Sequence, residues 1–165
     1  MAKVQPHGFV TKGLHWGSAL LVAYGYYKGL DSVDQLADPA FLRFEVIFAS
    51  TLGLVFLARL IWTKAIAGSS RLPSEAPRWE HVASRMVHYG LYASVFAIVL
   101  SGLGIAFGYS TPAFGGIFLT AMLGLHDFAV AALPFLLLTH IAGALWHKVI
   151  RRDGIMESMT GRLPI

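Results

Sequence analysis

Four apolar stretches, each close to the length of a membrane crossing, constrain this chain more than any other feature. They run from about Leu14 to Leu30, Phe41 to Trp62, Met86 to Tyr109 and Phe128 to Ile150. A hydrocarbon layer of ~30 Å is crossed by about 20 helical residues. Lipid offers the backbone no hydrogen-bond partner, so each stretch is predicted to be helical. Composition agrees, with 56% hydrophobic and only 13% charged residues, where a soluble domain carries about a quarter charged. A chain of 165 residues is too short to hide that much apolar surface in one aqueous core. The expected fold class is therefore all-α: an integral membrane four-helix bundle forming a single domain over residues 1–165. The first stretch is the shortest and most polar, holding Tyr24, Tyr26 and Tyr27.

The connections are short. The segment from Ser69 to Pro77 (SSRLPSEAP) is the one clear hydrophilic loop. The uncharged, Gly-rich run from Thr111 to Leu125 either extends the fourth helix or lies on the membrane surface. The surface reading is preferred here, because His126-Asp127 reads as a helix start. Pro134 removes one backbone donor and is expected to kink the fourth helix. No small-residue cleavage site precedes a polar domain, so the first apolar run reads as a retained helix and not a signal peptide.

Charge placement gives an orientation. Lys3, Lys12, Arg59, Lys64, Arg71, Arg78, Arg85, Lys148, Arg151, Arg152 and Arg162 fall on one side of the expected membrane. Only Lys28 and Arg43 fall on the other, beside Asp31, Asp34 and Asp38. This asymmetry places both termini in the cytoplasm of a bacterial-type inner membrane. The net charge of +4 is too small and dispersed for nucleic-acid binding. The absence of cysteine excludes disulfides, thiolate metal sites and iron–sulfur clusters.

Histidines carry the chemistry. The seven are His7, His15, His81, His88, His126, His140 and His147. An imidazole within a membrane span points to function, although histidines also serve simply as interhelical hydrogen-bond partners. His126 and His140 are 14 residues apart. On one helix that places them about 40° apart in direction and about 21 Å apart along the axis. His147 continues the same stripe. One helix could thus serve two haems stacked across the membrane, each needing a second axial histidine from another helix. On the cytoplasmic half the candidates for that second ligand are His15, in LHW, and His88, in RMVHYGLY. His81 reads as a solvated loop residue and His7 as part of a mobile terminus.

With these elements in order, the chain resembles the bacterial cytochrome b561 family, which includes superoxide oxidase. It also resembles the cytochrome b subunits of membrane hydrogenases and formate dehydrogenases. The resemblance covers about residues 10–160. It rests on the LHW histidine, the ARL at 58–60, the His88-x-x-x-Tyr92 element and the histidine pair in the fourth helix. It implies two b haems between four helices. The cytoplasmic-side haem would be ligated by His15 and His140. The outer haem would be ligated by His126 and a histidine in the second helix. That helix has no histidine, and the matching position holds Glu45, a poor, hard ligand for haem iron. The outer site is therefore expected to be empty, five-coordinate through His126, or completed by Glu45 or a partner subunit. The resemblance also places a quinone headgroup, ubiquinone or menaquinone, near His147 and Lys148, where a plain interfacial cation pair is the alternative.

Further residues have two readings each. Arg59 and Arg85 suit haem propionates, though interfacial anchoring is the more ordinary role. Trp16, Trp62 and Trp146 fit an aromatic belt. Gly102, Gly104, Gly115 and Gly116 suit close packing of helices or of a porphyrin. The expected function is a haem-b protein passing single electrons between an outer partner and the quinone pool, alone or as a subunit with a periplasmic or membrane redox partner. The haem would supply the chemistry, and the protein its ligands and burial. The rival is a non-redox membrane scaffold or small transporter subunit. A transporter would need ionisable or broken-helix sites at the midplane, whereas only Glu45 and Asp127 lie near the apolar spans, towards their outer ends.

Overall fold

The computed structural model describes residues 6–29, 33–67, 72–73, 75–111, 114 and 116–161. Lys3, Leu30, Asp31, Ser69, Arg71, Ser74, Pro112, Gly115 and Arg162 lie outside the described residues. Helix accounts for 88% of the structure, and no strand occurs among the described residues.

Helix α1 spans Phe9–Tyr27. A short 3₁₀ turn, Val33–Ala37, leads into α2, Pro39–Trp62. The start of α2 is set locally: Pro39 needs no backbone donor at a first helical position, and the Asp38 carboxylate accepts from the Ala40 amide at 2.8 Å. A widened turn at Thr63–Ala67 prolongs α2. Helix α3 runs Arg78–Ser110, and α4 runs Ile117–Trp146 with a second widened turn at His147–Arg151. A short α5, Ile155–Thr160, closes the described chain.

Three segments are long and apolar enough to cross a membrane: Pro39–Ile66, Arg78–Ser110 and Ile117–Arg151. Helix α1 does not reach that standard, because Lys12, His15 and its three tyrosines dilute its apolar content. The helices alternate in direction. Trp62 Nε1 at the end of α2 donates to Thr11 Oγ1 near the start of α1 at 3.0 Å. Lys64 Nζ after α2 donates to Tyr89 OH on the first half of α3 at 3.0 Å. Arg151 after α4 reaches back to Glu80 at the start of α3.

The core is a narrow seam of Val22, Leu52, Phe56, Val95, Val99 and Leu133. Large apolar side chains in mid-helix, among them Leu54, Leu100, Phe135 and Leu138, point outwards. An apolar exterior around a small core is the arrangement lipid permits and water penalises. Small residues allow the helices to approach. A methyl group added at Gly104 on α3 would stand 2.8 Å from Met122 Sδ on α4, and one at Gly53 on α2 would stand 3.0 Å from Val99 Cγ1 on α3.

The structure corrects several expectations. The 111–125 run is not a surface segment: α4 begins at Ile117, so His126 and Asp127 lie inside a continuous helix. The preceding Gly116, at φ 66°, makes the break that starts it. His81 is not a loop residue, because α3 starts at Arg78. His7 is not loose, since its backbone amide donates to the Ser158 carbonyl of α5 at 3.0 Å. Pro134 falls inside the fourth helix, as expected.

Candidate functional site

At the end of the bundle where α1 and α3 begin and α2 and α4 finish, four helices bring their polar side chains together. The ring of His15 on α1 lies 6.1 Å from that of His140 on α4, centre to centre, with the planes tilted by 47°. His88 on α3 meets the same His140 ring edge-on at 5.0 Å. From α2, Arg59 turns inward. Its Nη2 lies 2.9 Å from His15 Nδ1, and its Nη1 donates to Ser18 Oγ at 2.7 Å. Ser18, fully buried, donates in turn to the His15 carbonyl at 2.9 Å. The guanidinium also lies over the rings of Phe56 and Tyr92, at 5.9 and 5.7 Å from their centroids, where the aromatic faces favour a cation.

Arg59 therefore is not a surface anchor. It is a half-buried cation in direct contact with a candidate ligand. Arg85 is exposed, and its Nε donates to the His81 carbonyl of its own helix at 3.2 Å.

Tautomers follow from these partners. An arginine only donates, so His15 Nδ1 accepts from Arg59 and the ring proton sits on Nε2. His88 Nδ1 faces the Ser84 carbonyl at 2.6 Å. A carbonyl only accepts, so that nitrogen carries the proton and the His88 Nε2 lone pair is free.

The second candidate site lies about four turns up α4. His126 Nδ1 is 3.0 Å from Ser101 Oγ on α3, and Gly102 lies against the same ring, where an added methyl would meet Cε1 at 3.4 Å. Glu45 is half-buried on α2 and makes no hydrogen bond or ion pair among the described residues. Nearby, Tyr26 of α1 donates its hydroxyl to the Val130 carbonyl of α4 at 2.6 Å.

His147 does not join the His15 cluster. Its Nδ1 lies 2.6 Å from Asp153 Oδ2 in the chain that follows, and Lys148 beside it is half-buried. The same rim holds the buried Glu80, whose Oε1 accepts from Arg151 Nε at 2.9 Å and Nη2 at 2.5 Å. On the outer face of α3, a shallow groove is lined by Val82, Arg85, Met86 and Tyr89.

Ser18, Ser101 and Glu80 were not singled out in the sequence. Ser18 and Ser101 have a faint signal, a serine three residues after a histidine in LHWGS and one beside a Gly-x-Gly in SGLG. Glu80 gives none, because its partner Arg151 is remote in sequence.

Among the described residues no cluster of three or more histidine, cysteine or acidic side chains is arranged to hold a bare metal ion. The His15–His140 pair is a two-imidazole arrangement. Two imidazoles sharing one metal at about 2 Å per bond have ring centres roughly 6 Å apart, so the observed spacing would suit a haem iron between them. The family model for prokaryotic cytochrome b561 matches residues 7–162. No curated protein and no solved structure matches the chain.

Proposed function

Since the chain belongs to the prokaryotic cytochrome b561 family, we propose that it is a haem-b electron-transfer protein that exchanges electrons with the membrane quinone pool. The observation that carries this reading is the approach of His15 and His140 from two helices, with His126 on the same α4 about 21 Å away along the axis. When bound, a b haem supplies one-electron redox chemistry, with a potential set by its ligands and burial.

In this reading α1 makes a fourth crossing, its polar face turned to the bundle through His15 and Ser18. Its modest apolar content then reflects a ligand-bearing helix. His15 and His140 would hold the cytoplasmic-side haem. His15 would hold the haem through Nε2 only with its ring proton on Nδ1, away from Arg59, whose guanidinium would then be available to a haem carboxylate. His88, exposed on α3, would stand beside the same group with its Nε2 lone pair free. His126 is the protein ligand on the outer side, where Glu45 stands in place of a histidine. His147 and Lys148 form the quinone-side rim, with His147 held by Asp153. Both termini are cytoplasmic, and an outer or membrane redox partner completes the electron path.

The test is haem per polypeptide by pyridine haemochrome assay, with a reduced-minus-oxidised spectrum. The expected result is one tightly held low-spin haem in the isolated chain. A colourless protein that stays colourless when expressed with excess haem would overturn the reading.

A further inference from the structure

The outer histidine is not simply a side chain facing the bundle interior. Ser101 is fully buried on α3, and its hydroxyl has a single proton to give. That proton goes to the carbonyl of its own helix: Oγ donates to Ala97 O at 2.5 Å, with Ile98 O also in range at 3.2 Å. With its proton committed, Ser101 Oγ can only accept from His126 Nδ1 at 3.0 Å. That contact requires the proton on Nδ1. The Nε2 lone pair is then the free ligating atom, and the ring plane is fixed against α3.

We infer that Ser101 is a positioning residue for His126, selecting its Nδ1–H tautomer and so presenting Nε2 to a metal. The same residue makes a contrast within the molecule. His15 carries its proton on Nε2 while Arg59 donates to Nδ1, so the cytoplasmic site needs a rearrangement before ligation, whereas the outer histidine is ready as it stands. A hydrogen bond from the distal nitrogen orients a metal-bound imidazole and raises its basicity, and losing such a partner typically weakens metal binding roughly 10- to 100-fold. The inference rests on the haem reading for the identity of the metal group, and on the Ser101 geometry alone for the tautomer.

Two measurements on the full-length chain test it. The first is nitrogen NMR of histidine-labelled protein prepared without haem, with His126→Ala to assign the signal. The expected result is an Nδ1–H tautomer at His126 in wild type and in Ser101→Thr, and a mixed or Nε2–H population in Ser101→Ala. An Nε2–H ring in wild type would overturn the inference. The second is titration of the Glu45→His variant, which supplies the outer site's missing imidazole, with excess haemin, following the second binding phase that His126→Ala removes. Ser101→Ala should weaken that phase at least tenfold, and Ser101→Thr, which keeps the hydroxyl, should restore it. An unchanged phase in Ser101→Ala shows that Ser101 does not position the ligand. If His126→Ala removes no phase at all, the outer haem site itself is wrong, while the NMR result still decides the tautomer.

Discussion

His15 and His140, from helices at opposite ends of the sequence, face one another with ring centres 6.1 Å apart. By contrast His147, one heptad beyond His140, is turned away and tied to Asp153 at 2.6 Å. Alanine at His15 or at His140 should each abolish the low-spin haem signal of the isolated chain. His147→Ala should leave that signal in place and affect only the reaction with quinone. Reduced spectra of the three purified variants check this. Loss of haem in His147→Ala with retention in His140→Ala would reverse the ligand assignment.

Arg59 supplies a second prediction. A half-buried cation beside a residue that would hold haem iron would stabilise the reduced, more negative state. At an effective dielectric constant of about 20 and roughly 8 Å, one charge is worth about 2 kcal/mol. Arg59→Met should therefore lower the midpoint potential of the His15–His140 haem by roughly 50–100 mV. Redox titration gives the number directly. An unchanged potential, with haem content intact, would mean that the guanidinium does not stay near the iron.

Much of this arrangement was legible before any coordinates, because membrane helices announce themselves by length and their exceptions by polarity. The spacing of His126 and His140 on one helix needed only helical periodicity, and both fall within the continuous α4. Two kinds of feature were not legible. Helix bounds failed where an apolar run ended without a charge: the 111–125 segment has no polar break, so only the positive φ of Gly116 marks the start of α4. Partners also stayed hidden. Nothing local ties Arg59 to Ser18 and His15, or Ser101 to His126. In those pairs the two residues lie on different helices, and helix packing decides which polar groups meet.

The Glu80–Arg151 pair joins the start of α3 to the end of α4 asymmetrically. The glutamate side chain is 3% exposed and the arginine 38%. Removing the arginine strands a buried carboxylate, which costs about 3–5 kcal/mol. Removing the acid leaves a half-exposed cation that water can reach, a loss of about 1–2 kcal/mol. Arg151→Met should thus lower the thermal midpoint in detergent markedly more than Glu80→Gln. Equal shifts, or the reverse order, would show that the pair is solvated in the membrane-bound protein.

The orientation can be settled independently of haem. Reporter fusions after Pro39 and Pro112 should report the outer side. Fusions after Ser74 and at the C-terminus should report the cytoplasm, where the excess of lysine and arginine is retained. An outer position for Ser74 would exchange the sides of the two histidine sites. A cytoplasmic position for the Pro39 fusion would instead show that α1 does not cross, leaving only the three segments that meet the length and polarity standard.

The final prediction concerns what the outer site lacks. Helix α2 contains no histidine, and Glu45 stands at the position where the family resemblance places one. Glu45 lies in the second turn of α2, at the end of the bundle that also holds His126. It has no cation or hydrogen-bond donor of its own among the described residues. A carboxylate is a hard oxygen donor and a weak partner for haem iron beside imidazole. His126 on α4 meets Ser101 through Nδ1 at 3.0 Å, a contact that would leave its Nε2 to a metal. If one missing ligand is all that separates this site from a second bound haem, supplying it should be enough. Glu45→His should raise haem content from about one towards two per polypeptide and add a second low-spin signal that His126→Ala removes. Haemochrome assay and electron paramagnetic resonance of the single and double variants provide the readout. Two bis-histidine signals already present in wild type would place the second ligand elsewhere, with His88 the first residue to replace.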